Sequence, residues 1–171
     1  RVYALDSFEG LPDPHPILDN PYWVKGLYDG KQSLVEHLRD SAAERGLSQV
    51  IVPVKGWFEE TLAALPVDIR FCLAHLDSDL YRSVLQSLEG VYDRVEDGGV
   101  IIIDDFFHHA QGAARACSDF FNARGIQPVL HVIFPYSVFM IKGEEATSRG
   151  HRSLDGRVYS FDWMRGDTLL R

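Results

Sequence analysis

Hydrophobic residues along the chain form short apolar runs that alternate with longer stretches of helical periodicity. Each run is bounded by polar or turn-forming residues, which is typical of strands, and the runs lie at 2–5, 50–54, 70–76, 100–103, 129–134 and 138–141. Helical patterns fall between them at 31–45, 57–64, 82–95 and 111–124. Strands that alternate with helices predict an α/β fold built on βαβ units with right-handed crossovers.

Turn residues refine this prediction at three places. Gly46 and Gly125 follow two of the helical patterns, at the position where a left-handed residue commonly ends a helix. Pro135 and Tyr136 separate the last two apolar runs and indicate the turn of an antiparallel hairpin. Many mainly parallel sheets carry one antiparallel edge strand, so we expect a mainly parallel sheet with a C-terminal antiparallel hairpin.

Two of the apolar runs end on pairs of carboxylates. Asp77 and Asp79 come directly after one run, and Asp104 and Asp105 come directly after the next. Because the carboxyl ends of neighbouring parallel strands meet at the edge where α/β sheets bind ligands, we expect these four side chains to converge. Carboxylate oxygens are the ligands that Mg²⁺, Ca²⁺ and Mn²⁺ prefer. The sequence therefore predicts a site for a hard divalent cation.

Composition narrows the class of protein. The 171 residues are 46% hydrophobic, which is enough for one substantial core, and we expect a single domain. The formal net charge of −8 argues against a nucleic-acid partner and favours a small molecule. Cys72 lies in an apolar run and Cys117 in a helical pattern, which predicts two buried thiols rather than a disulfide. With no apolar run of about 18 residues and no signal-peptide pattern, we expect a cytoplasmic protein without a membrane partner.

Longer strings connect these features to a known family. YALDSFEGLPDP, VKGWFEETLAALP, AHLDSDLYRSVLQSLEGVYDRVEDGGVIIIDDF and QGAARACSDFF occur in this order along the chain. Over roughly residues 3 to 142, the chain resembles the macrocin O-methyltransferase family, which includes sugar methyltransferases of antibiotic pathways. The resemblance implies a Rossmann-like class I methyltransferase fold with S-adenosylmethionine as methyl donor and Mg²⁺ beside it. The implied acceptor is a hydroxyl of a sugar, a polyol or a phenolic natural product.

Roles at the acidic strand ends follow from the resemblance by position. It implies metal ligands at Asp77, Asp104 and Asp105 and a general base at Asp79. In other members a histidine near the latter position acts as the base, so His75 and His108 are further candidates for catalysis. Alternatives stay open: Asp79 can cap the following helix, His75 can be a hydrogen-bonded core histidine, and His108 with His109 can be solvated.

Donor contacts also follow from the resemblance. It implies that Asp6 contacts the donor ribose, and that the adenine lies near the segment from Gly56 to Phe58. The complete set of candidate donor-binding residues is Asp6, Ser7, Phe8, Gly56, Trp57 and Phe58. An alternative for Asp6 is an Asx-turn with Phe8, and Trp57 and Phe58 can equally be core aromatics.

One departure from the family concerns the beginning of the chain. The glycine-rich loop that holds the methionine part of the donor, together with the first strand, would precede Arg1. We therefore expect a piece of a longer enzyme, whose ability to bind the donor by itself is open. Residues 1–143 would form the methyltransferase domain, partial at its N-terminus, and 144–171 a tail with one candidate strand near 157–163. Oligomeric state is also open, a homo-oligomer included.

Other functions compete with this interpretation. A metal-dependent nucleotide-sugar glycosyltransferase also has a strand that ends Asp-x-Asp, but it explains neither the second acidic pair nor the string from Asp6 to Pro12. A phosphatase with an aspartyl nucleophile normally needs a Lys between its acidic pairs, and none lies between Asp79 and Asp104. A degenerate binding module without catalytic activity is the third alternative.

Overall fold

Contacts within the chain define two compact units. The computed structural model describes residues 1–29, 33–107, 111–133 and 135–145, with Ser33, 151–152 and 158–159 described by their backbone alone. Unit 1 comprises Arg1–Pro14 and Pro21–Val67, and unit 2 comprises His15–Asn20 and Asp68–Arg171. The domain boundary expected near residue 143 stays a prediction.

Unit 1 is built around a pair of parallel strands. Strand β1 (Val2–Asp6) pairs with β2 (Ile51–Lys55), so that Asp6 lies opposite Lys55 at the carboxyl ends. Between them runs helix α1 (Ser33–Glu44), which packs against β2, and helix α2 (Phe58–Ala64) follows β2. Gly46 has φ of 68°, the left-handed conformation expected just after α1. The predicted βαβ arrangement is confirmed here.

Unit 2 contains a four-stranded mixed sheet. Its elements in chain order are β3 (Phe71–Leu76), α3 (Tyr81–Val91), a 3₁₀ turn (Tyr92–Arg94), β4 (Val95–Ile103), α4 (Gly112–Arg124), β5 (His131–Ile133) and β6 (Ser137–Ile141). The strand order is β3-β4-β6-β5. Strands β3 and β4 are parallel, whereas β6 runs antiparallel to both β4 and β5. The predicted hairpin around Pro135 and Tyr136 is confirmed.

The core of unit 2 lies between the sheet and the packed pair α3 and α4. Successive strand side chains point to opposite faces, so Ile101 and Ile103 of β4 share the buried face. Helix α3 contributes Val84 and Leu88, both completely buried, in the apolar stripe expected from their spacing. Gly125 ends α4 with φ of 66°, as predicted.

Strand β3 is more exposed than the sequence indicates. It is an edge strand of the four-stranded sheet, and within the described part of the chain it pairs with β4 alone. Cys72 is exposed and Leu73 keeps 53% of its surface accessible. The prediction of a buried Cys72 is therefore wrong, whereas Cys117 is buried as expected and both cysteines are free.

Beyond residue 145, the structure describes one short antiparallel pair. Strand β7 (His151–Arg152) pairs with β8 (Val158–Tyr159), which lies inside the stretch predicted to hold an extra strand. Among the described residues, no helix is both long and apolar enough to cross a membrane.

Candidate functional site

The two acidic strand ends of unit 2 meet at one edge of the sheet. Leu76 and Ile103 are register partners at the ends of β3 and β4. The amide of Asp104 donates a hydrogen bond of 2.9 Å to the carbonyl of Leu76, which extends the pairing by one residue. Asp77 and Asp104 consequently leave their strands side by side. The predicted convergence of the two strand ends is confirmed.

The carboxylates form two overlapping groups around Asp77. Ligand atoms of His75, Asp77 and Asp104 lie within 4.8 Å of one another, and so do those of Asp77, Asp79 and Asp105. Asp79 and Asp105 have φ of 54° and 52°, in the left-handed region that Asp tolerates better than most residues. The first turn keeps the carboxylate of Asp79 close to that of Asp77, and the second brings the carboxylate of Asp105 to the same two side chains.

Crowding of negative charge is strongest at Asp79. Burial, a hydrogen bond with Asp105, and the charges of Asp105, Asp77 and Asp104 together raise the pKa of Asp79 from 3.8 to about 8. The free carboxylates therefore retain a proton on Asp79 at neutral pH. Such a cluster gains stability from any cation that neutralises the repulsion.

Asp104 is held in its ionised form by its neighbours. Burial alone would raise the pKa of its carboxyl, but hydrogen bonds from Ser137 and His75 outweigh burial and lower it. The Ser137 hydroxyl donates to Oδ1, and His75 Nε2 lies 2.9 Å from Oδ2. The His75 side chain is half exposed. The alternative of a hydrogen-bonded core histidine is therefore wrong about burial, although the hydrogen bond that it predicts is present.

This donor set fits a hard divalent cation. One group offers three carboxylates and the other offers two carboxylates and the imidazole of His75, so the ligands are mainly oxygen atoms, as Mg²⁺ and Mn²⁺ prefer, whereas a zinc site would be richer in His and Cys. Ligand roles for Asp77, Asp104 and Asp105 stay predictions. His108 and His109 lie outside the described residues.

Unit 1 brings its two predicted donor-binding segments together. The amide of Gly56 donates a 2.9 Å hydrogen bond to the carbonyl of Asp6, where β1 and β2 end. A side chain at Gly56 would collide with Thr61, and its φ of 144° also favours glycine. The Asx-turn that was the alternative for Asp6 is also present, because the amide of Phe8 donates a 2.5 Å hydrogen bond to Asp6 Oδ1.

The aromatic candidates of unit 1 differ in accessibility. Phe8 is 7% exposed and belongs to the core, whereas Trp57 and Phe58 are partly exposed beside Gly56. Ser7 lies in the same loop, where its hydroxyl donates to the carbonyl of Gly10 at 3.2 Å. Donor contacts by all of these residues stay predictions.

The sequence analysis did not predict the contacts of two side chains, Ser137 and Asp19, with the strands and helix that form the site. Ser137 contacts Asp104 because β6 is the antiparallel neighbour of β4, a pairing that the predicted hairpin could have suggested. Asp19 caps helix α3 across 62 residues of sequence, and no local pattern indicates such a contact.

The fold of the chain is matched by solved structures. A structure described as a calicheamicin methyltransferase, CalS11, superposes with a TM-score of 0.73 over 84% of this chain and 61% of that one, at 19% identity. Its likeness shows a class I methyltransferase fold, as expected. The family is defined more narrowly: residues 1–142 match the model of the macrocin-O-methyltransferase (TylF) family, and the chain belongs to that family.

Two curated relatives are also named as O-methyltransferases. One is an 8-demethyl-8-(2,3-dimethoxy-alpha-L-rhamnosyl)-tetracenomycin-C 4'-O-methyltransferase of Streptomyces olivaceus, 34% identical over 70% of this chain and 44% of that protein. Another is a demethyldecarbamoylnovobiocin O-methyltransferase of Streptomyces niveus, 28% identical over 61% of this chain and 41% of that protein. The chain spans less than half the length of these relatives.

Proposed function

We propose that this protein is an S-adenosylmethionine-dependent and Mg²⁺-dependent O-methyltransferase that methylates a hydroxyl of a small molecule, namely a sugar of an antibiotic. Family membership and the names of both relatives support O-methyl transfer. A Podospora anserina methyltransferase of the same fold, with a TM-score of 0.51, was solved with S-adenosylhomocysteine bound. The convergence of Asp77, Asp79, Asp104 and Asp105 is the single observation that carries the proposal.

Three carboxylates would hold the cation, namely those of Asp77, Asp104 and Asp105. When bound, Mg²⁺ would lower the pKa of the acceptor hydroxyl and orient two adjacent oxygens, which favours vicinal diols such as those of sugars. His75 and Ser137 keep the Asp104 carboxylate ionised and fix its orientation by their hydrogen bonds. Removal of the Ser137 hydroxyl should therefore weaken cation binding without touching any of the candidate ligands.

Asp79 is suited to take the proton in the transfer. The acceptor oxygen attacks the methyl carbon of the sulfonium, the carbon–sulfur bond breaks, and S-adenosylhomocysteine leaves. The hydroxyl proton would go to Asp79 in its ionised form, which burial and the neighbouring carboxylates disfavour in the free cluster and which a bound cation would favour. His75 is a second candidate, but its Nε2 is occupied by Asp104.

Binding experiments separate this proposal from its alternatives. Calorimetry with S-adenosylhomocysteine and with a nucleotide sugar, each with and without Mg²⁺, should give heat only with S-adenosylhomocysteine, and Mg²⁺ binding should disappear in Asp77→Asn. Asp68→Asn, at an exposed position outside the cluster, is the matched control. Binding of the nucleotide sugar instead would favour a glycosyltransferase, and binding without turnover of any acceptor would favour a non-catalytic module.

Partner and location remain part of the proposal. The acidic net charge of −8 supports a small-molecule acceptor rather than a nucleic acid. A cytoplasmic location and a homo-oligomer stay predictions.

A further inference from the structure

Asp19 is a buried acid far from the acidic cluster in sequence. Only 4% of its surface is exposed, and it lies in the short segment of unit 2 from His15 to Asn20. Both carboxylate oxygens have partners: Oδ1 accepts the amide of Tyr81 and Oδ2 accepts the amide of His15, each at 2.7 Å. A carboxylate so deeply buried and doubly bonded has a structural task.

The segment that carries Asp19 is a closed turn. His15 Nδ1 accepts the amides of Ile17 and Leu18 at 3.2 and 3.1 Å, and the amide of Asp19 returns to the carbonyl of His15 at 3.1 Å. The rings of His15 and Tyr81 also meet edge to face, 6.1 Å apart. Asp19 is therefore presented to α3 by a rigid turn rather than by a free loop.

Helix α3 needs an acceptor from elsewhere at its N-terminus. Leu80 occupies the N-cap position, and leucine has no polar side-chain atom with which to cap a helix. Asp19 accepts the first amide of the helix instead, with a charge that suits the positive end of the helix dipole. Only Leu80 separates this amide from Asp79, a partly exposed member of the acidic cluster.

Helix α4 leaves room for this contact. A Cβ atom on Gly112, the first residue of α4, would overlap Asp19 Oδ1 and would also approach the amide of Tyr81 to 3.1 Å. The absence of a side chain at Gly112 thus lets the carboxylate reach the start of α3.

We propose that Asp19 is a positioning residue: through Tyr81 it holds the start of α3, and so fixes the acidic turn 77–80 in the geometry that binds the cation. The part that concerns the cation rests on the proposed function. The part that concerns the turn does not, because it can be measured in the metal-free protein.

Four variants of the full chain test the proposal. Asp19→Ala removes both hydrogen bonds, whereas Asp19→Asn keeps an oxygen for the amide of Tyr81 and loses only the bond from the amide of His15. Gly112→Ala leaves Asp19 in place but displaces its carboxylate. Asp13→Ala, at an exposed acid paired with Lys25, is the matched control.

In metal-free protein, the NMR amide signals of Asp77 and Asp79 should shift in Asp19→Ala and Gly112→Ala and stay at the wild-type positions in Asp19→Asn and Asp13→Ala. By electron paramagnetic resonance, the Kd for Mn²⁺ should rise about 10- to 100-fold in the first two variants, as for other residues that orient metal ligands. Folding is checked for each variant. If Asp19→Ala does not fold, the Gly112→Ala variant alone tests the proposal.

Folded Asp19→Ala or Gly112→Ala with unshifted Asp77 and Asp79 signals and wild-type Mn²⁺ affinity would overturn the proposal, even if α3 became less stable. Wild-type protein that binds no Mn²⁺ would instead contradict the metal part of the proposed function. In that case the amide signals alone decide whether Asp19 positions the turn.

Discussion

Replacing Asp79 by Asn should stabilise the metal-free protein at alkaline pH. Asn has nearly the shape of Asp, tolerates the left-handed φ of 54°, and can donate a hydrogen bond to Asp105 as a protonated Asp79 does. It removes only the ability to ionise. The substitution therefore isolates the cost of ionising Asp79, which burial and the three neighbouring carboxylates impose together.

The direction of the effect depends on pH. Because the pKa of Asp79 is raised to about 8 in the folded protein, the unfolded chain loses this proton first, from about pH 4 upward. The stability that the protonated group provides is complete below about pH 4 and is lost as pH rises toward 8. A rise of the Asp79 pKa from 3.8 to about 8 corresponds to an upper limit of about 6 kcal/mol on the free energy of unfolding that is lost with pH. Since the side chain is partly exposed, solvent screening reduces this to about 1 to 2 kcal/mol.

Thermal unfolding in the presence of a chelator measures this difference. At about pH 8, the Tm of Asp79→Asn should exceed that of the wild type by roughly 2 to 8 °C, whereas at about pH 4 the two should coincide. Asp68→Asn, at an exposed aspartate, should show no such dependence on pH. If Asp79→Asn were less stable than the wild type at pH 8, or equally changed at both pH values, the account of the cluster would be refuted.

Three further predictions concern the cluster and the core. Asp104→Asn should abolish the rise in Tm that Mg²⁺ or Mn²⁺ gives the wild type, measured by thermal unfolding with and without the ion; a preserved rise would exclude Asp104 as a ligand. Leu88→Ala should lower the free energy of unfolding, measured in urea, by about 2 to 5 kcal/mol, because the side chain of Leu88 on α3 is completely buried. A loss below about 1 kcal/mol would contradict that packing. Asp93→Asn should lower the free energy of unfolding by less than about 1 kcal/mol at neutral pH, because it removes the exposed ion pair with Arg124 that lowers the pKa of Asp93. This loss should vanish as pH falls through the lowered pKa. An equal loss at low pH would argue against the ion pair.

The acidic strand ends could be predicted because they depend on local pattern and simple topology. An apolar run that ends on Asp77, and a second that ends on Asp104, need only become parallel neighbours for the carboxylates to meet. The antiparallel hairpin followed from Pro135 and Tyr136 in the same way. Each acidic strand end, like the hairpin, is encoded within about a dozen residues of the chain.

Features that depend on distant partners could not be predicted. The exposure of Cys72 depends on which strands flank β3, and a period of two in a strand does not reveal its position in the sheet. The cap that Asp19 provides joins residues 62 positions apart, so only the folded chain reveals it. The alternative of a core histidine for His75 follows from its place within an apolar strand, yet the side chain is half exposed and is hydrogen-bonded to Asp104.

Crystals of the protein soaked with Mn²⁺ would test the central claim most directly, because the anomalous signal locates the ion without reference to activity. We predict one strong peak at the sheet edge, bonded to carboxylate oxygens of Asp77, Asp104 and Asp105 and absent in Asp104→Asn. A fully soaked crystal with no peak at that edge, or with the ion bound elsewhere, would contradict it.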